Sequence, residues 1–337
     1  MASAMTRFGN DLYTGKRSFD FVGKRKIWFS IAIAMVLISI LIPIVKGGFN
    51  FGIDFKGGSQ FQISNVQSTS QSLGEDAVTS VVPSATTQVT SLNQNGIQVQ
   101  TDQMTSDQSR QVALALAKAY GVPINQVAST FIGPTWGADV TTQTIQGLVV
   151  FLLLAFAGMA IYFRTWKMSA AAIISLFHDL IITAGVYALV GFEITPATMI
   201  GFLTILGYSL YDTVVVFDKI RENTRQELDL TRRTFAESVN LAVNQTLVRS
   251  INTAVVAMLP VASILFIGAY AFGAATLRDI SLALLIGIIV GTYSTIFLAA
   301  PLYSLFREQE ANIRKHDIKV LAIRPKAKIA AETVAVK

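Results

Sequence analysis

Six long apolar runs dominate this chain, at about 27–45, 147–163, 168–190, 198–217, 249–270 and 280–305. Each is long enough to cross about 30 Å of hydrocarbon as a helix. Inside a bilayer every peptide N–H and C=O must find a partner within the protein, which restricts spanning segments to helices or closed barrels. The chain therefore reads as a polytopic α-helical membrane protein with six transmembrane helices. Composition agrees, with 52% hydrophobic and only 14% charged residues.

An even number of spans places both termini on one side. Lys16, Arg17, Lys24, Arg25 and Lys26 precede the first run, Arg164 and Lys167 follow the second, and Lys219, Arg221, Arg225, Arg232 and Arg233 follow the fourth. Arg307, Arg314, Lys315, Lys319, Arg324, Lys326, Lys328 and Lys337 follow the sixth, against Lys46, Lys56, Arg110, Lys118 and Arg278 on the other face. Both termini are expected to be cytoplasmic. The formal charge of +6 is then largely topological, and the basic tail suits anionic lipids better than nucleic acid, for which there is no motif. The first run lacks an Ala-x-Ala cleavage pattern behind it and reads as an uncleaved span. With no cysteine, disulfides and thiolate metal sites are excluded.

These boundaries divide the chain into a cytoplasmic segment 1–26, a first transmembrane helix 27–45, an extracytoplasmic domain 46–145, a five-helix remainder of the bundle 146–306 and a basic cytoplasmic tail 307–337. In the extracytoplasmic part, Phe61 and Ile63 alternate with Gln60 and Gln62 as in a strand, and Leu73, Ala77 and Val81 recur at helical spacing between Ser70 and Pro83. Val89 marks a second strand, Asn95-Gly96 a hairpin turn, and Ile97 and Val99 a third strand. A helix follows from about Ser106 to Tyr120, ended by Gly121 and Pro123, and a last strand runs from about Val127 to Ile132. The order βαββαβ predicts a small ferredoxin-like α+β domain. It has no histidine, phosphate loop or acidic cluster with metal spacing, so no enzymatic activity, cofactor or metal is expected there.

Asp179, Asp212 and Arg249 are the charges that matter in the apolar runs. An Asp at the centre of a spanning helix is unfavourable by about 2.5–3.5 kcal/mol unless it faces a bundle interior, a cavity or a charged partner. Asp212 is therefore a functional candidate, and Tyr208 and Ser209, one turn earlier, extend a polar stripe along the same face. Asn252 and Thr253 lie one turn after Arg249 and are expected to extend a polar face beside it. His178 is adjacent to Asp179 in sequence and should share its helix face poorly. Gly287 and Gly291 form a GxxxG pair suited to close helix packing, in this chain or against a partner.

Four motifs carry a family resemblance. They are Phe51-Gly52-Ile53-Asp54-Phe55-Lys56-Gly57-Gly58 beyond the first span, Leu176-Phe177-His178-Asp179-Leu180-Ile181 in the third, the stretch Gly207 to Asn223 in the fourth, and Asn244 to Thr253 at the start of the fifth. In this order and topology the chain resembles the SecF family, the smaller membrane subunits of the SecDF accessory complex of bacterial protein export, itself similar to half of a resistance-nodulation-division transporter. Gln245 and Lys56 stand where that family often has Arg and Thr.

The resemblance implies a SecD partner with six further spans, a SecYEG-type translocation channel, and unfolded exported polypeptides moved under the proton motive force at the bacterial plasma (inner) membrane. It maps proton use onto Asp212 and Arg249, with Asp179 as a further candidate. Gly52, Asp54, Phe55, Gly57 and Gly58 are read as a hinge or as a contact for SecD or a moving substrate. A half-size exporter of a small molecule or lipid, and a passive assembly subunit, are the competing expectations.

Overall fold

The computed structural model describes residues 4–335 apart from 94, 231 and 272–274. From the N-terminus, α1 (Ala4–Tyr13) precedes the first long apolar helix α2 (Arg25–Val45), and a single helical turn α3 (Ile53–Lys56) leads into the sheet domain. The domain runs β1 (Gly58–Ser64), α4 (Gln71–Val81), β2 (Thr87–Asn93), β3 (Gly96–Thr101), α5 (Ser106–Ala119) and β4 (Val127–Ile132). There follow α6 (Pro134–Phe163), α7 (Trp166–Val190), α8 (Pro196–Leu230), α9 (Phe235–Ser263), α10 (Ala275–Ser294), α11 (Ala300–Glu308) and α12 (Ala311–Ala335). Six helices among the described residues are long and apolar enough to cross a membrane.

The sheet domain has the ferredoxin-like arrangement. Its strands lie in the order β2-β3-β1-β4 with every neighbouring pair antiparallel. Alternation explains the layering: Phe61, Ile63, Val89, Ile97 and Val99 face Val78, Val112 and Leu116 of the two helices in one apolar core. The opposite face carries Gln60, Gln98 and Gln100. Helix α5 starts in a capping box, with Thr105 and Gln108 exchanging side-chain and backbone bonds.

The helices outrun the apolar runs that reveal them. Residues 134–145, read from hydropathy as part of the sheet domain, belong to the 30-residue helix α6. Thr141 and Thr142 return their hydroxyls to the carbonyls of Gly137 and Ala138, so polar residues continue the helix above the apolar segment. Helix α8 likewise runs on past Phe217 to Leu230, and α9 begins at Phe235 under a Thr234–Glu237 capping box. The last span is interrupted by a π-helical stretch at Thr295–Ala299, just ahead of Pro301, whose missing N–H breaks the regular ladder.

Within the bundle α8 is flanked by α7, α9 and α10. Gly287 lies directly against Ile205, where any Cβ would collide, and Gly291 lies against Ser209. The GxxxG pair therefore packs on α8 of the same chain, settling the choice that sequence left open. At the end of the bundle away from the sheet domain, Leu12, Phe21, Phe217, Phe235, Tyr303 and Ile313 join the ends of the helices in a second core. Arg25 pairs with Glu308 at 2.7 Å and Lys167 with Glu310 at 3.0 Å, tying both terminal segments to it.

Candidate functional site

Asp212 and Asp179 lie in the bundle interior, Asp212 met by one serine and Asp179 by two from neighbouring helices. Asp212 on α8 accepts a hydrogen bond from the Ser250 hydroxyl of α9 at 2.8 Å. Its other oxygen, Oδ2, is buried without a partner. Arg249, next to Ser250, turns to the exposed flank and donates to the Tyr211 hydroxyl at 3.4 Å. Asp212 and Arg249 make no ion pair within 4 Å among the described residues; they share a flank, with Tyr211 and Ser250 between them.

Asp179 on α7 is fully buried and fully engaged. Its Oδ2 accepts from Ser209 of α8 at 2.7 Å and from Ser294 of α10 at 2.9 Å, and its Oδ1 lies 3.1 Å from His178 Nδ1. Two sequence expectations are corrected here. Ser209 belongs to Asp179 and not to a stripe leading to Asp212, because its hydroxyl points across to α7. His178 does reach Asp179, since the imidazole bends round the helix to its neighbour while stacking on Tyr293.

The remaining polar candidates divide. Tyr208 is half-buried and within electrostatic reach of Asp212. Asn252 is exposed, and Thr253 gives its hydroxyl to the Arg249 carbonyl at 2.8 Å. Neither joins Asp212. Asn244, part of the fifth-span motif, is buried and grips the backbone of Phe19 through both side-chain atoms, at 2.7 and 2.9 Å. Asn240 one turn earlier holds Phe21 at 2.8 Å, while Gln245 links Tyr13 to Asn223. This motif thus anchors the N-terminal segment.

The glycine-containing motif forms the joint between domain and bundle. Gly52 N–H donates to the Ile194 carbonyl at 2.9 Å, and Ile194 N–H returns a bond to Asn50 at 2.7 Å, so the α7–α8 loop is paired with the start of the motif. Gly57 and Gly58 have φ of 75° and 137°, and a Cβ at Gly58 would strike the Thr101 carbonyl. Only glycine allows this turn into β1. Phe55 packs edge-on to Phe51, and Asp54 is half-buried, with burial raising its carboxyl above the usual range.

Beside this joint sits a cluster that sequence reasoning missed. Glu193 is buried and accepts bonds from Gln98 Nε2 at 3.0 and 3.1 Å and from Gln100 Nε2 at 2.8 Å. Burial pushes its carboxyl up, opposed by these amides and by Arg278. Arg278 and Asp279 of α10 are buried close by, 3.5 Å apart, with Arg278 stacked on Phe192. The signal lies in the alternate glutamines of β1 and β3, a polar strand face that meets Glu193 rather than water. No group of His, Cys, Asp or Glu able to hold a metal occurs among the described residues.

A six-span helical bundle with a ferredoxin-like domain inserted after its first helix, and carboxyl groups buried between helices, defines a polytopic membrane subunit with a small α+β domain outside the bundle. The C-terminal description of protein export membrane proteins SecD/SecF matches residues 112–309, and the SecD/SecF GG motif matches residues 44–64. The chain belongs to the SecF family of protein translocase subunits. It is 42% identical over 332 residues to the protein translocase subunit SecF of Mycobacterium tuberculosis (strain CDC 1551 / Oshkosh), covering 94% of this chain and 73% of that one. With the SecF of Streptomyces coelicolor it shares 41% identity over 331 residues, covering 96% and 86%. The crystal structure of SecDF, a translocon-associated membrane protein from Thermus thermophilus, superimposes with a TM-score of 0.74 at 27% identity. That match covers 87% of this chain but 39% of the SecDF chain, so this chain corresponds to a part of that longer molecule.

Proposed function

We propose that this chain is the SecF half of a SecDF-type pair in the bacterial plasma membrane, with both termini cytoplasmic and the sheet domain on the outer side. It works beside a SecYEG-type channel, draws unfolded exported polypeptides outward and is driven by the proton motive force. Its role is transport, without an enzymatic step. Support for orientation comes from the lysine and arginine distribution, and support for SecD from the longer SecDF chain that this one matches only in part.

The observation that carries the proton role is Asp212, a spanning-helix carboxylate with one oxygen on Ser250 and the other unpartnered. Such a group can alternate between neutral and charged states at little structural expense. Arg249, permanently charged, acts as counter-ion and not as carrier. Its exposure beside Tyr211 suits a flank covered by SecD. Asp179, with both oxygens hydrogen-bonded, fits a clamp between α7, α8 and α10. Arg314, Lys315 and Lys319 on α12 are suited to anionic lipid headgroups.

The test is Asp212→Asn, which removes the charge at nearly constant volume. Gradient-dependent export should be abolished while the SecD complex assembles normally. Full export at normal expression would refute proton carriage by Asp212 and favour a passive assembly role; a small molecule or lipid bound between the helices would favour the exporter alternative.

A further inference from the structure

Helix α12 turns aside at the end of the bundle. Tyr303 and Arg307 of α11 both lie against the Phe235 ring, at 6.0 and 5.9 Å, and Asp317 of α12 accepts the Phe235 N–H at 2.9 Å. A straight continuation of α11 would carry Asp317 about 15 Å beyond Arg307. The chain instead bends at Gln309 and Glu310, and α12 lies across the start of α9. Its inner face is Ile313, His316 and Val320, all buried and at helical spacing. Ile313 belongs to the core that contains Leu12, Phe217 and Phe235.

The outer face mixes apolar and basic side chains. Arg314, Ile318 and Leu321 form one row at i, i+4 and i+7, with Lys315 and Lys319 in the row beside it. Ile318 is 64% and Leu321 54% exposed. The carboxylates near this stretch are engaged elsewhere: Glu308 with Arg25, Glu310 with Lys167 and Arg307, and Asp317 with the start of α9. Among the described residues the face therefore presents three cations and two large apolar groups with no acid opposite them. A surface that fits it must be anionic and must also offer hydrocarbon. The bilayer around the bundle supplies both, whereas a nucleic acid would answer the cations and leave Ile318 and Leu321 in water.

We propose that α12 is an interfacial anchor: Ile318 and Leu321 enter the boundary between headgroups and acyl chains of the cytoplasmic leaflet, and Arg314, Lys315 and Lys319 meet the phosphates of anionic phospholipids. Long basic side chains suit this place, since their stems lie along hydrocarbon while their charges stay among the headgroups. Asp317 ties the anchored helix to the N-terminus of α9, so the anchor also sets the depth of the helix that carries Arg249 and Ser250. It rests on the cytoplasmic placement and lipid reading of the basic tail, to which it adds the side chains that insert. It makes no use of Asp212, so Asp212→Asn should leave it unchanged, and its failure and the failure of the proton role are distinguishable.

The absence of cysteine allows a single spin label at Ala322→Cys, exposed beside Leu321, in the full chain reconstituted in bilayers of phosphatidylcholine alone or with one-third phosphatidylglycerol. Collisions with oxygen, which enters lipid, and with a water-soluble nickel chelate report the depth of the label. With phosphatidylglycerol the label should be shielded from nickel and open to oxygen; in phosphatidylcholine alone, or in high salt, nickel access should return. Lys315→Gln and Lys319→Gln should each lower the ratio of docked to free helix by about fivefold. Ile318→Ser with Leu321→Ser should expose the label even with phosphatidylglycerol present. Free nickel access in both bilayers overturns the anchor. Equal shielding in both would give the face to protein contacts and overturns it as well, as does shielding that appears only when RNA is added to the neutral bilayer. Shielding that survives the double serine variant overturns the insertion of Ile318 and Leu321.

Discussion

Ser250 holds Asp212 by a 2.8 Å hydrogen bond from α9 to α8, while Arg249, its neighbour in the chain, reaches outward to Tyr211. One helix therefore offers the carboxylate a neutral donor and offers a permanent cation to the adjoining flank. The proton role proposed for Asp212 calls for a shift of α9 that exchanges one for the other.

Ser250→Ala tests that division of labour. A hydrogen bond to a charged group contributes about 1.5–3 kcal/mol, so gradient-driven export should fall by about tenfold or more. Export in cells carrying the variant at normal abundance measures this. An unchanged rate would remove Ser250 from the path.

Asp179 should behave differently from Asp212. Asp179→Asn keeps an oxygen for Ser209 and Ser294 and an amide beside His178, so the purified protein should keep its melting temperature and a large part of its export. Asp179→Leu leaves two buried serine hydroxyls and an imidazole without their acceptor, at about 1–3 kcal/mol for each unsatisfied group. Thermal unfolding in detergent should show a clear loss for Leu only. Loss of export in Asp179→Asn with unchanged stability would instead make Asp179 a second proton group.

Much of this was legible in the chain, for identifiable reasons. Spanning helices announce themselves because lipid leaves the backbone no other choice, and the βαββαβ order follows from the period-2 alternation at Phe61/Ile63 and Ile97/Val99. Helix ends were less legible, since Thr141 and Thr142 support α6 by local hydroxyl bonds that hydropathy does not register. At the site, charge in an apolar run exposed Asp212 and Asp179. Their partners stayed hidden because Ser250, Ser209 and Ser294 are common residues whose meaning depends on which helix they face. The same holds for Glu193, placed between spans where a carboxylate attracts no notice until Gln98 and Gln100 are seen to close over it.

Gly287→Val should unlock the centre of the bundle. Ile205 occupies the space a side chain would need, and the contact is made by the stem of a β-branched residue packed between α8 and α10. Overpacking of this kind costs about 1–3 kcal/mol. A lowered melting temperature is expected, partly restored by Ile205→Ala in the same chain; absence of that rescue would show that the loss does not come from the Ile205 contact.

Asn244→Ala addresses the N-terminal segment. Asn244 is buried, accepts from Phe19 N–H and donates to Phe19 carbonyl, and so replaces the missing strand or helix partner of an irregular backbone stretch. Deleting its amide leaves the Phe19 N–H without its acceptor, at about 1–3 kcal/mol, while the Phe19 carbonyl keeps the bond from Asn240 Nδ2 at 2.9 Å. Asn240 still holds Phe21, and Arg25 still pairs with Glu308, so the segment should loosen between Tyr13 and Asp20 without detaching. Limited proteolysis should therefore cut Asn244→Ala after Lys16 or Arg17 several-fold faster than the parent, with α2 and the bundle intact. Asn244→Asp separates the two bonds: it keeps the acceptor for Phe19 N–H and loses only a donor to a carbonyl that Asn240 also serves, so cleavage should stay closer to the parent's than to that of Asn244→Ala. Equal cleavage of all three proteins would mean that the segment is held by its apolar contacts at Leu12, Phe21 and Val22 alone.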